Sequence, residues 1–307
     1  MASVDMSVNL GGIALKNPIT TASGTFGNGR QFEGFYDVSQ LGGITCKGVS
    51  AEPWEGNPAP RLAKLPSAIM NSVGLQNPGV RGFVDEYGAY LTTLAERGCK
   101  VICQVAGHSI DEYVAALDLY EELAPFAAGF ELNISCPNIQ QGGAAMGATC
   151  ESAAAVVRAV RPHTDRPLLV KLAPHNVAEI GRAVEAEGAD ALTLINTIPG
   201  MAINVHTRKS KVSRPTAGVS GPAIHAIAVR MVWECARAVN IPITGVGGVT
   251  TGEDAAEFIL AGATAVSVGT ANLSDPLAAP RILSELTSWA EEQGVRDINE
   301  LIGAFEC

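Results

Sequence analysis

The sequence predicts an α/β protein built as one (β/α)8 barrel of the TIM type, with a short N-terminal β-hairpin. Three observations predict it. Eight short apolar runs recur along the 307 residues, each bounded by glycine or proline; stretches with helical spacing lie between them; and a composition 47% hydrophobic and 17% charged can bury one large core.

The apolar runs occupy 18–22, 43–47, 100–106, 129–135, 167–173, 189–196, 241–247 and 263–269. They are continuously apolar rather than alternating, as parallel strands covered on the outside by helices should be. Helical spacing appears at 112–117, 153–160, 177–186, 223–239 and 253–260. A doubly wound open sheet is the alternative, and it is weakened because no Gly-x-Gly-x-x-Gly follows the first run. Val8 to Leu15 alternates around Gly11-Gly12, a hairpin signal that would cover one end of the barrel. The 33 glycines and 17 prolines are spread along the chain without a linker, so a single domain over 1–307 is expected.

Lys and Arg number 21 against 31 Asp and Glu, a net charge of −10, which disfavours nucleic acid and anionic membrane as partners. An anionic substrate would need local cations. The seven cysteines are scattered and read as reduced thiols rather than as a disulfide frame or zinc site. No basic region followed by an apolar stretch opens the chain, and no segment approaches the ~20 apolar residues that cross a bilayer. A soluble, cytoplasmic protein is expected.

In such a barrel the chemistry sits at the carboxyl ends of the strands, so residues remote in sequence can be read as one site. Those ends carry Thr21-Ala22-Ser23-Gly24, Lys47, Gln104, Asn133 to Asn138, Lys171, Asn196-Thr197, Gly247-Gly248 and Gly269-Thr270. The glycines of the last two strands permit close approach of backbone N–H groups to a phosphate, although glycines also simply permit tight turns. Lys47 and Lys171 would point into a cavity with apolar walls, where an ammonium implies an anionic partner; the alternative is a solvated strand end. Cys136, held in Asn133-Ile134-Ser135-Cys136-Pro137-Asn138, could as thiolate remove a proton from a carbon acid, or could be a small buried hydrophobe. Asn71-Ser72-Val73-Gly74-Leu75-Gln76-Asn77-Pro78-Gly79 can fold over the barrel mouth, and the glycine-rich 140–147 is a second candidate lid. The five histidines show no metal spacing, and no metal is expected. Arg208-Lys209-Ser210-Lys211 reads as a solvated cluster that could also help a partner protein dock.

Asn133 to Asn138, Asn71 to Gly79, and the stretch from Gly200 through Gly221-Pro222 to Gly269-Thr270-Ala271-Asn272 resemble the dihydroorotate dehydrogenase family over essentially the whole chain. The cysteine of the Asn-x-Ser-Cys-Pro-Asn motif looks like the soluble class, and Arg208-Lys209, Ser220-Gly221-Pro222-Ala223 and Gly247-Gly248-Val249 look like its NAD-linked type rather than the fumarate-linked one. The resemblance implies FMN against Ala22, Ser23, Lys47, Gly48, Gln104, Asn133, Lys171, Ile195, Gly221, Gly247, Gly248, Gly269 and Thr270. It implies dihydroorotate against Lys47, Asn71, Ser72, Val73, Gly74, Leu75, Asn133, Asn196 and Thr197, with Cys136 as base. Gln104 departs from the asparagine usual at its position. The resemblance further implies a homodimer joined to an electron-transfer subunit carrying FAD and a [2Fe–2S] cluster, giving a heterotetramer. Barrels of the dihydropyrimidine dehydrogenase group and flavin-free phosphate-sugar lyases or isomerases are the alternatives.

Overall fold

A computed structural model describes residues 4–135 and 146–306. Eight parallel strands form the central sheet: β1 (Ile19–Thr21), β2 (Gly43–Thr45), β3 (Lys100–Val105), β4 (Ala127–Asn133), β5 (Leu168–Lys171), β6 (Ala191–Leu194), β7 (Ile243–Val246) and β8 (Ala265–Val268). They pair in sequence order from β2 through β8, and β8 then pairs with β1, in register Ser267 to Thr20. Seven of the predicted apolar runs contain one of these strands, and the run 129–135 overlaps β4, which begins two residues earlier.

The ring closes between β1 and β2 through a side chain. Asn17 Oδ1 accepts from the N–H groups of Ile19 (3.2 Å) and Gly42 (2.9 Å), its Nδ2 donates to the Gln40 carbonyl (2.9 Å), and the Gly42 N–H also reaches the Ile19 carbonyl at 3.0 Å. The buried amide therefore completes a seam that a strand ladder would otherwise supply.

Seven α-helices surround the barrel among the described residues: α1 (Gly79–Glu96), α2 (Ile110–Leu123), α3 (Cys150–Val160), α4 (Val177–Ala186), α5 (His225–Ala236), α6 (Gly252–Leu260) and α7 (Ala278–Glu292). Each follows a strand from β2 onward. The first connection carries no α-helix: β1 leads only into two short 3-10 turns, Arg30–Phe32 and Val38–Gln40. That connection is rich in glycine and lacks the helical apolar period, so an α-helix there would have neither propensity nor a face to bury. Elsewhere the faces are clear: Val177, Ile180 and Val184 of α4 are buried at helical spacing, and Ala279, Ile282, Leu286 and Ala290 of α7 likewise. Thr149 and Thr251 form capping boxes that satisfy the first N–H groups of α3 and α6.

The predicted hairpin, Val8–Leu10 with Ile13–Leu15, lies against the amino-terminal end of the barrel. Its turn is pressed so closely there that a Cβ on Gly11 would lie 2.4 Å from the Asp190 carbonyl oxygen, just ahead of β6. The opposite end carries a four-stranded antiparallel sheet that sequence reading did not anticipate, ordered Ile198–Gly200, Ala217–Ser220, Ala68–Asn71 and Leu62–Leu65. It is assembled from two insertions, one after β2 and one after β6. No helix among the described residues is long and apolar enough to cross a membrane.

If the Asn17 amide closes the ring, Asn17→Ala should lower stability by roughly 2–3 kcal/mol, the cost of leaving several buried backbone groups unpaired. Urea unfolding measures this; a loss within error of zero would show that the seam holds without it.

Candidate active site

The cavity lies between the carboxyl ends of the strands and the four-stranded sheet above them. It holds about 1250 Å³ of empty space, mouth included.

Each barrel strand or its following loop contributes to the wall. Ala22 and Ser23 come from the end of β1, Lys47 from that of β2, Gln104 from β3, Asn133 from β4 and Lys171 from β5. Ile195, Asn196 and Thr197 follow β6, Gly247 and Gly248 follow β7, and Gly269 and Thr270 follow β8. From above, Asn71, Val73, Gly74, Leu75, Ser220 and Gly221 close the space, joined by Leu62, Ile69 and Gly218, which the sequence reading did not single out. Asn71 Nδ2 donates to the Gly218 carbonyl at 3.4 Å within the lid, and Thr270 Oγ1, at the end of β8, donates to Ser220 Oγ at 2.8 Å and ties the lid to the barrel.

Two expected residues do not line the cavity. Gly48 stands behind Gln104, where a Cβ would come 2.5 Å from Gln104 Oε1. Ser72 is buried within the lid, its hydroxyl accepting from Asn57 Nδ2 at 3.2 Å and from Ser213 at 3.3 Å. Cys136 and nearly all of the candidate lid 140–147 lie outside the described residues.

Beneath the cavity runs a buried polar chain whose centre the sequence reading missed. Glu131 sits two residues before Asn133 and so shares its inward face of β4. Its Oε1 accepts from Gln104 Nε2 at 2.6 Å and its Oε2 from Thr193 Oγ1 at 2.6 Å. Gln104 Oε1 in turn accepts from Asn133 Nδ2 at 3.2 Å, and Ser135 Oγ donates to Asn133 Oδ1 at 2.9 Å. Asn196 Nδ2 donates to Ser135 Oγ at 2.7 Å, and the Tyr113 hydroxyl to the Asn133 carbonyl at 2.7 Å. Each amide is thus held in one orientation by its neighbours. The longer side chain of Gln104 is what lets it bridge Asn133 to Glu131. A signal was available in the sequence: an acid inside an apolar strand demands a buried partner.

Lys171 is paired in register with Asn133 on one side and Thr193 on the other, and is only 6% exposed. Burial pushes its ammonium below the usual lysine range, while the Glu131 carboxylate opposes that shift. Lys47 stands across the cavity, with a Cβ on Gly24 falling 3.9 Å from its Nζ and its backbone N–H donating to Asn28 Oδ1 at 3.1 Å. The floor of the site therefore carries a buried acid, a buried base and a row of fixed amides.

Because folding depresses the Lys171 pKa, the unfolded chain binds more protons over the interval up to its unfolded value of about 10.4, and stability rises with pH there. The ligand-free wild type should accordingly gain stability relative to Lys171→Met between about pH 7 and about pH 10. Urea midpoints of both proteins at the two pH values measure it, and a difference that does not change with pH would contradict the assignment.

Residues 5–289 match the family described as dihydroorotate dehydrogenase. A relative from Geotalea uraniireducens, named dihydroorotate dehydrogenase B (NAD(+)), catalytic subunit, is 46% identical over 99% of both chains. A protein of the same name from Bacteroides fragilis is 44% identical over 98% of this chain and 99% of its own. A solved Eimeria tenella structure, titled as DHODH in complex with ferulenol, superposes with a TM-score of 0.81 at 22% identity, covering 98% of this chain and 88% of that one; at that identity the likeness concerns the fold. With a barrel whose strand ends converge on one lidded cavity and relatives matched from end to end, the chain belongs to the dihydroorotate dehydrogenase family.

Proposed function

We propose that this chain is the FMN-dependent catalytic subunit of an NAD-linked dihydroorotate dehydrogenase, one barrel domain over 1–307 that oxidises dihydroorotate to orotate in de novo pyrimidine biosynthesis. The observation that carries the reading is the convergence of a glycine cradle, two lysines and a row of fixed amides on one cavity.

The donor set fits FMN. A phosphate suits the backbone N–H groups near Gly247, Gly248, Gly269 and Thr270, where two adjacent strand ends offer glycine. Lys171 would hold its ammonium beside the ring edge that gains negative charge on reduction. Ala22, Ser23, Lys47, Gln104, Asn133, Ile195 and Gly221 would complete the contacts, with Gly48 supporting Gln104 from behind. When bound, FMN supplies the acceptor for a hydride.

Dihydroorotate would lie above, under the lid. Lys47 offers a cation to its carboxylate, and Asn71, Asn133, Asn196 and Thr197 orient the ring through amide and hydroxyl contacts. Val73, Gly74 and Leu75 exclude water from the upper side, with Ser72 bracing them through its contact with Asn57. Cys136, one residue beyond the fixed Ser135, acts as thiolate and takes the proton from C5 while the hydride leaves C6. The C5–C6 bond thereby becomes the double bond of orotate.

In this reading the protein is cytoplasmic, forms a homodimer, and passes electrons to NAD through a subunit carrying FAD and a [2Fe–2S] cluster, as a heterotetramer. The name "catalytic subunit" borne by the relatives supports a partner. So does the small hairpin of Ile203–Asn204 and Lys209–Ser210 beside the lid, which exposes Met201, Ile203 and Val205 near Arg208 and Lys209.

Anaerobic mixing of the flavin-loaded protein with dihydroorotate should bleach the flavin absorption band, and an unchanged spectrum would end the reading. Cys136→Ala should retain flavin and lower the bleaching rate by roughly 10²–10⁴, the usual worth of a general base. Dihydrouracil, which lacks the carboxylate, should be oxidised roughly a hundredfold or more slowly; equal rates would favour a dihydropyrimidine-type enzyme.

A further inference from the structure

We propose that His225 is a positioning residue for the phosphate cradle: its ring Nδ1–H holds the Gly247 carbonyl away from the cavity and so turns the Gly248 N–H toward the bound phosphate.

The peptide that joins Gly247 to Gly248 lies at the cavity wall. Both residues line the cavity, and both have positive φ, 147° and 72°. A peptide between two such glycines meets little steric resistance to rotation, so some other contact must choose its orientation. His225, the first residue of α5, supplies one. Its Nδ1 lies 3.0 Å from the Gly247 oxygen, and a carbonyl can only accept, so the ring donates there. In a planar trans peptide the C=O and the following N–H point in opposite directions. His225 lies outside the cavity lining, and a carbonyl held toward it therefore directs the Gly248 N–H to the cavity side.

The ring itself is held on its other edge. Nε2 lies 3.1 Å from Glu257 Oε2 and 3.8 Å from Asp254 Oδ1, both on α6. The edge of Phe258, also on α6, meets the ring perpendicularly at 5.2 Å. Asp254 is engaged mainly with Thr250 and Thr251 at the start of its own helix, which leaves Glu257 as the nearer restraint on the imidazole. The arrangement matches the way a carboxylate orients a histidine that acts through its second nitrogen. The cradle also fits tightly: a Cβ on Gly248 would lie 2.8 Å from the Gly221 carbonyl and 2.9 Å from the His225 Cβ.

The inference rests on the reading that FMN places its phosphate at this cradle, and binding of FMN and of riboflavin, which lacks the phosphate, tests the two separately. Dissociation constants are measured by flavin fluorescence quenching on the full-length, flavin-depleted protein. Wild type should prefer FMN; equal affinities would overturn the phosphate reading itself. His225→Ala should raise the FMN dissociation constant roughly tenfold, the scale of one hydrogen bond to a charged group, and leave riboflavin unchanged. His225→Asn should restore FMN affinity, because the asparagine Nδ2 can stand where Nδ1 stands. Unchanged FMN affinity in His225→Ala, or an asparagine variant as weak as the alanine one, would overturn the positioning role. Glu257→Ala, at an exposed position, should weaken FMN but not riboflavin even if His225→Ala does not fold, and no change there would equally count against the proposal.

Discussion

A carboxylate buried in a barrel must be answered by donors, and Glu131 is answered by three neighbouring strands. Gln104 reaches it from β3, Thr193 from β6, and the charge of Lys171 acts on it from the adjoining strand β5. Taking both ions out of water is costly, and their attraction with the added hydrogen bonds offsets that cost only if the geometry is held. Half of the ring is therefore tied to one side chain. The amides of Gln104, Asn133 and Asn196 inherit their orientations from it in succession.

That chain of constraint explains why the cavity floor can be polar and rigid together. A fixed amide presents donors and acceptors without the reorganisation that water would require, which is the condition for binding charge as it develops. The lid works by a different principle. Its four strands come from two separate insertions, and each strand pairs antiparallel with its neighbour, so closure depends on both insertions folding against each other. The anion side of the cavity, with glycines at the ends of β7 and β8, rests on the first turn of α5 and meets the lid only at its edge, at Gly221 and Ser220.

The barrel was legible in the sequence because its signal is local. Continuous apolar runs of the right length, separated by helical spacing, mark parallel strands whatever their partners. Strand ends were legible for the same reason, and Lys47, Gln104, Asn133, Lys171, Asn196 and the paired glycines do meet around one cavity. Glu131 was overlooked although its anomaly was local too, an acid within Gly129-Phe130-Glu131-Leu132-Asn133. The four-stranded lid escaped because its strands are only three or four residues long, one of them contains Pro199, and its two halves pair across more than a hundred residues. Ser72 illustrates the limit well: its neighbours Asn71 and Val73 face the cavity, and its own hydroxyl is turned into the lid by Asn57 and Ser213.

By itself the sequence determined the fold class, the order of the strands and the set of polar groups delivered to one end of the barrel, since period and chain direction are properties of consecutive residues. Tertiary structure alone decided which of those groups touch. Side chains on strands several elements apart share a hydrogen bond only after the ring closes, as Glu131 and Thr193 do, and the orientation of a glycine peptide is chosen by a histidine 22 residues away. Contacts of that kind are set by distance in space, on which sequence separation places almost no constraint.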